Sequence, residues 1–78
     1  MNGEISLVKL KKGERGEVIR VEGGRGVISK LENMGIRTGT AITKVSQQFM
    51  GGPVTVQAGS VHVAMGFGMA NKVFAEIG

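Results

Sequence analysis

The sequence predicts a mainly β fold, a small barrel of about five short strands with one short α-helix inserted among them. Fourteen glycines stand between brief runs of β-branched residues in a chain of 78 residues. This pattern is typical of many short strands joined by tight turns. Short strands leave unpaired edges, and closing the sheet on itself removes those edges best.

The chain is expected to form a single domain over residues 1–78, with residues 1–4 flexible. A chain of this length buries roughly 60% of its unfolded surface, which leaves no room for a second core. The sequence contains no cysteine, which excludes disulfides and thiolate sites and favours a reducing compartment. No stretch approaches the roughly 20 apolar residues that cross a bilayer, so the chain is not expected to span a membrane.

Apolar residues place the strands and the helix. The third strand, Ala41 to Ser46, alternates imperfectly, because Ile42 and Val45 point to opposite faces unless a bulge intervenes. An amphipathic helix is expected between Gly24 and Gly35, where apolar residues recur at spacings of three and four. Its end predicts a Schellman-type stop, with Gly35 left-handed and the next residue folded back. The remaining strands are predicted at Ile5 to Leu10, Gly16 to Glu22, Val54 to Ala58, Val61 to Met65 and Val73 to Ile77.

The composition argues against catalysis. The only histidine is His62, the chain has no aspartate, and its six acidic residues are all glutamates, so a Ser-His-Asp site is excluded and paired carboxylates are not expected to converge. His62 is the one candidate for a weakly held divalent metal, and an exposed strand residue is the simpler interpretation. The Gly-Gly-Arg-Gly stretch at residues 23–26 lacks the Lys-Ser/Thr pair of a phosphate loop and is interpreted as a turn.

The net charge of +4 and the pI near 10.0 raise the alternative of a small basic nucleic-acid-binding barrel. Glutamates are interspersed among the bases, and three phenylalanines without tryptophan or tyrosine leave little platform for base stacking. Nucleic acid is therefore not expected as the partner. A transition-metal-sensing module is a further alternative.

Four apolar residues stand in predicted glycine-rich loops, namely Phe49, Met50, Phe67 and Met69. They are interpreted either as caps on the open ends of the barrel or as an exposed patch that binds a partner.

The order of the turn motifs carries a resemblance to a known family. The chain shows Leu-x-x-Gly-x-x-Gly from Leu10, then Leu-Glu-Asn-Met-Gly-Ile-Arg-Thr-Gly-Thr from Leu31, Gly-Pro-Val from Gly52, Gly-Ser-Val-His-Val-Ala from Gly59, and Ala-Asn-Lys-Val from Ala70. This order resembles the ferrous iron transport protein A (FeoA) family from about Leu7 to Ile77. The positions that match the family's structural motif are Gly13, Leu31, Gly35, Gly39, Pro53, Gly59 and Ala70.

The resemblance implies an SH3-like barrel, a cytoplasmic setting and a non-enzymatic accessory role in ferrous iron transport. The implied partner is the FeoB-type ferrous iron permease of the inner membrane, which carries a G-protein-like domain. No resident cofactor is implied, and weak self-association is left open. Similar domains end metal-dependent repressors, but this chain lacks their winged helix. Gly52 stands where many members carry aspartate, and Phe67-Gly68-Met69 replaces a more basic stretch.

Overall fold

The structure, a computed structural model, describes residues 3–48 and 50–77. Its strands form one antiparallel sheet in the order β1-β6-β2-β3-β4-β5. The mainly β, SH3-like fold is confirmed. Its six strands correspond to the six ranges predicted above rather than to a count of about five, and a second short α-helix precedes the last strand. The elements are β1 (Glu4–Ser6), a 3₁₀ helix (Leu7–Lys9), β2 (Arg15–Val21), α1 (Arg25–Asn33), β3 (Ala41–Gln47), β4 (Val54–Ala58), β5 (Val61–Met65), α2 (Phe67–Ala70) and β6 (Val73–Ile77).

The first predicted strand, Ile5 to Leu10, is in fact two elements. β1 ends at Ser6 and the 3₁₀ helix follows at once. Leu7 and Leu10 are both buried, and their spacing of three suits a 3₁₀ turn, which brings such residues to one side. A continuous strand would have sent the two leucines to opposite faces.

The core fills the inner side of the sheet and is closed by the helices. Leu31 of α1, Ala70 of α2 and Leu7 of the 3₁₀ helix are fully buried against the strands. The sheet has two ends, β1 and β5, which are not paired with each other in the described residues. The buried apolar residues are Leu7, Leu10, Val18, Leu31, Ile36, Ile42, Val54, Val56, Val63, Met65, Ala70, Val73 and Ala75.

Helix α1 ends in the predicted Schellman motif. The amide of Ile36 donates to the carbonyl of Leu31 at 2.8 Å, and the amide of Gly35 donates to that of Glu32 at 3.0 Å. Gly35 has φ +90°, which L-residues adopt only with strain. Leu31 and Ile36 are both fully buried, so the motif also seats the helix on the sheet.

A bulge is present in β3. The register with β4 shifts between Lys44 and Ser46, so Val45 is the extra residue. Ile42 and Lys44, which precede the bulge and are two residues apart, share the inner face of β3, and both are buried. This arrangement sends the ammonium group of Lys44 into the molecule.

Phe49 lies outside the described residues, as do residues 1, 2 and 78. Glu4, the last residue of the segment predicted to be flexible, belongs to β1 and pairs with Glu76. No helix among the described residues is long and apolar enough to cross a membrane.

Candidate partner-binding surface

The β3–β4 loop and helix α2 lie at the same end of the sheet. Gln47 at the end of β3 pairs with Val54 at the start of β4. Val54 in turn pairs with Met65, the last residue of β5, and α2 begins two residues later at Phe67. Met50 in the loop and Phe67 are thus brought to one end of the molecule, which we call the loop end.

Met50 is the most exposed large apolar residue described. Its side chain is 100% exposed and its φ is +61°. The following Gly51 also has positive φ, and the amide of Gln48 closes the hairpin by donating to the carbonyl of Pro53 at 3.1 Å. A left-handed conformation costs an L-residue roughly 1–2 kcal/mol. The hairpin therefore holds an apolar side chain away from the core at some conformational cost.

Helix α2 divides its two candidate residues between surface and core. Phe67 is 36% exposed, whereas Met69 is partly buried and packs against the core cluster. The structure thus leaves Met50 and Phe67 accessible to a partner. Met69, which is partly buried, fits neither the barrel cap nor the exposed patch fully. Phe49, the fourth predicted residue, falls outside the described part of the chain.

Lys44 ties the elements of the loop end together. Its Nζ donates to the carbonyls of Leu7 and Leu10, each at 2.8 Å, and to Oε1 of Gln47 at 2.6 Å. These bonds fix the 3₁₀ helix to β3, and α2 packs against the same 3₁₀ helix. The loop end is therefore one connected unit.

Burial lowers the pKa of the Lys44 ammonium below its ordinary value of 10.5, and the negative charge of Glu14 partly opposes this effect. Among residues 3–48 and 50–77 the ammonium forms no ion pair, and the acceptors of its hydrogen bonds are backbone carbonyls and a side-chain amide oxygen. Lys44 was not singled out from the sequence, so this role was missed. The available signal was its two-residue spacing from Ile42, which places both on one face of a strand.

A cluster of charged side chains lies at the other side of the sheet, on β1 and the end of β2, beside β6. The guanidinium of Arg20 bonds Oε1 of Glu4 at 2.5 Å and Oε2 of Glu22 at 2.6 Å, and it lies 4.2 Å from the centre of the Phe74 ring. The hydrogen bonds that the guanidinium of Arg20 donates lower the pKa of Glu4, and the carboxylates of Glu4 and Glu22 that accept them raise the pKa of Arg20. All three charged groups remain in contact with solvent, so this cluster ties β1 to β2 without forming a buried site.

The family-motif residues occupy structural positions. Gly13, Gly35, Gly39 and Gly59 all have positive φ, between +64° and +95°. Leu31 and Ala70 are fully buried. Pro53 precedes the first residue of β4, where its missing N–H removes no bond from the ladder.

His62 lies exposed on β5. Within residues 3–48 and 50–77, no three His, Asp or Glu side chains are grouped closely enough to hold a metal ion. The candidate role of His62 as a weak metal ligand stays a prediction.

Together the fold and the loop end define a small SH3-like β domain whose most distinctive surface is a pair of accessible apolar side chains. The chain belongs to the FeoA domain family, which matches residues 5–77. A relative from Methanocaldococcus jannaschii, named Fe(2+) transport protein A, is 32% identical over 70 residues, which are 90% of this chain and 83% of the relative. The FeoA family is implicated in ferrous iron transport.

Solved structures agree with this assignment. The crystal structure of an iron uptake regulatory protein (FeoA) is 30% identical, with a TM-score of 0.88 over 95% of this chain and 97% of that one. The FeoA protein of Chlorobium tepidum is 25% identical, with a TM-score of 0.84 over 94% of this chain and 70% of that one. A manganese-dependent transcriptional repressor gives a TM-score of 0.89 at 17% identity, over 99% of this chain and 43% of the repressor, and this likeness shows a shared fold alone.

Proposed function

We propose that this protein is a cytoplasmic, non-catalytic accessory component of ferrous iron uptake that docks on a FeoB-type permease of the inner membrane. The family assignment over residues 5–77 supports the link to ferrous iron transport. The docking partner follows from the role that the FeoA resemblance implies.

The observation that carries the docking proposal is the placement of Met50 and Phe67 at the loop end. Both side chains are accessible, and Met50 lies on a left-handed backbone. Apolar and aromatic anchors of this kind supply most of the energy of protein interfaces. The loop end is also internally connected through Lys44, so it presents the two anchors on a fixed support.

The accessory role follows from the physics of linked equilibria. A domain without a catalytic group acts on a permease by binding one of its conformational or nucleotide states better than another, and it shifts the population by that difference in affinity. We propose that the loop end is the surface that binds one of these states more tightly than the other.

The test is a binding titration of the full chain against a purified FeoB-type permease in nanodiscs, with and without guanine nucleotide. The double variant Met50→Asn/Phe67→Ser should raise the dissociation constant by at least about tenfold, because it removes two apolar anchors. Asparagine is chosen at position 50 because it tolerates the left-handed backbone.

The matched control is Ile28→Ser. Ile28 on α1 is 37% exposed, almost the same as Phe67 at 36%, but it lies on a different element. The control should bind like the wild type. Equal loss of binding in the control, or no loss in the double variant, would show that the loop end is not the docking surface.

A further inference from the structure

Strand β5 is an unusual sheet edge because it carries none of the features that normally protect one. It is five residues long, Val61–Met65, and contains no charge, proline or bulge. Natural proteins shield edges by such features or by keeping the edge strand short. The other edge, β1, has only three residues and carries Glu4 in an ion pair with Arg20.

The hairpin geometry shows which backbone groups of β5 point outward. Ala58 and Val61 flank the two-residue loop Gly59-Ser60, in which Gly59 has φ +64°. The pair that flanks such a loop is hydrogen bonded, and bonded and non-bonded pairs then alternate. Val61, Val63 and Met65 therefore use their amides and carbonyls on β4. Those of His62 and Ala64 face away from the sheet.

These outward groups are symmetric about Val63, which is the middle residue of β5. An antiparallel second β5 centred on Val63 would place His62 opposite Ala64 of the second copy, and Ala64 opposite His62. Both outward residues would then exchange both of their backbone hydrogen bonds, as a bonded pair requires. Val61, which is 57% exposed, would lie opposite Met65 of the second copy.

The distribution of charge allows a second copy at this edge and disfavours one elsewhere. The chain carries a net charge of +4, so two copies repel each other over most of their surfaces. Strands β4 and β5 contain no Lys, Arg, Asp or Glu, and they form the one flank where two sheets can approach without opposing like charges. Like charges placed directly opposite in a sheet would destabilise the pairing.

We propose that β5 is a self-association edge, through which two copies of this chain pair antiparallel about Val63 and extend their sheets into one. The paired strands are short and the contact is small, which makes the dimer weak and concentration dependent. This inference is independent of the proposed docking on a permease, because β5 shares neither Met50 nor Phe67.

The first measurement is amide hydrogen exchange by NMR on the full chain, from micromolar to millimolar concentration. The amides of His62 and Ala64 should become protected as concentration rises. Those of Val61, Val63 and Met65 should be protected throughout, because they bond to β4. Sedimentation equilibrium over the same range should show monomer passing to dimer. A wild type that stays monomeric at millimolar concentration would overturn the proposal.

The second measurement uses the register itself. The double variant His62→Lys/Ala64→Lys places lysine opposite lysine and should raise the dimer dissociation constant by roughly tenfold or more. The matched variant His62→Lys/Ala64→Glu places each introduced lysine opposite an introduced glutamate of the second copy, and it should dimerise at least as well as the wild type. Equal dimerisation of the two variants would exclude this register.

The third measurement removes one outward donor. Ala64→Pro deletes an N–H that the monomer does not use, and proline is tolerated on an edge strand at such a position. It should raise the dissociation constant by roughly ten- to a hundredfold, since two intermolecular bonds are lost per dimer, while Ala64→Ser should not. If circular dichroism shows that Ala64→Pro is unfolded, the charge pair above decides the question alone.

Discussion

Lys44 is an unusual interior residue, because it carries a charge. The residue is almost fully buried, at 3% exposure, and its ammonium donates to the carbonyls of Leu7 and Leu10 and to the side chain of Gln47. A charge in such a position is tolerated because every proton finds an acceptor. The same bonds satisfy carbonyls that the short 3₁₀ helix cannot pair by itself.

We therefore expect Lys44→Met to lower the free energy of unfolding by roughly 2–3 kcal/mol, because it leaves buried acceptors without a hydrogen-bond donor. Urea denaturation measures this loss. Lys72→Met is the matched control, since Lys72 is exposed, and it should change the stability by less than about 0.5 kcal/mol. Equal stability of the two variants would show that water replaces the ammonium without loss.

Comparing Lys44→Met with the wild type also isolates the contribution of Lys44 to the pH dependence of folding stability. Burial lowers the pKa of Lys44 in the folded state below its ordinary value of 10.5. The unfolded chain therefore binds the proton more tightly, and stability rises with pH between the two pKa values. The stability advantage of the wild type over Lys44→Met should accordingly grow as pH approaches 10.5, and a shrinking advantage would contradict the direction of the shift.

Among the elements, helix α1 shows how far local sequence can specify structure. Its apolar spacing, its glycine stop and the return of Ile36 all act within a few residues, and the structure confirms each of them. The spacing of Ile42 and Val45 likewise raised the alternative of a bulge in β3, and the structure has one there. Such features are predictable because neighbouring residues alone decide them.

Glycines at the two ends of α1 should respond in opposite directions to alanine. Gly35→Ala should destabilise by about 1 kcal/mol, because φ is +90° there. Gly26→Ala should stabilise by about 0.5 kcal/mol, because it lies in the helix with nothing within 4 Å of an added Cβ. Thermal melts of the two variants measure this pair, and shifts of equal sign would contradict the backbone argument.

Elements that depend on distant partners were less predictable. The run Ile5 to Leu10 has strand-forming residues, yet Lys44 captures the carbonyls of Leu7 and Leu10 and stabilises a 3₁₀ turn instead. The inward role of Lys44 depends on a contact across more than thirty positions of sequence. No pattern within either segment contains that contact.

At the scale of the whole molecule, the sheet order determines which distant residues lie together on the surface, and local sequence patterns do not predict this. Met50 and Phe67 stood out as apolar residues in glycine-rich segments, but their common location follows only from the pairing of β4 with both β3 and β5. The family resemblance, in contrast, was visible from the order of turn motifs along the chain. Turn motifs are local, whereas a surface is assembled from separate segments.

The sheet order also gives the N-terminal strand β1 and the C-terminal strand β6 unequal importance for stability. β6 lies between β1 and β2 in the interior of the sheet, and its Val73 and Ala75 are fully buried. β1 is an edge strand of three residues, held partly by a surface ion pair from Glu4 to Arg20, and such pairs contribute little, about 0–1 kcal/mol.

A chain shortened to end at Lys72 should therefore be unfolded. It loses the ladders to both neighbouring strands and the burial of Val73, about 1.5–3 kcal/mol for that side chain alone, from a domain whose total stability is about 5–15 kcal/mol. A chain shortened to begin at Leu7 should stay folded at reduced stability, because the 3₁₀ carbonyls and their bonds to Lys44 remain. Amide NMR dispersion distinguishes the two chains. A folded chain without residues 73–78 would mean that β2 and β3 hold the core unaided, against the sheet order described above.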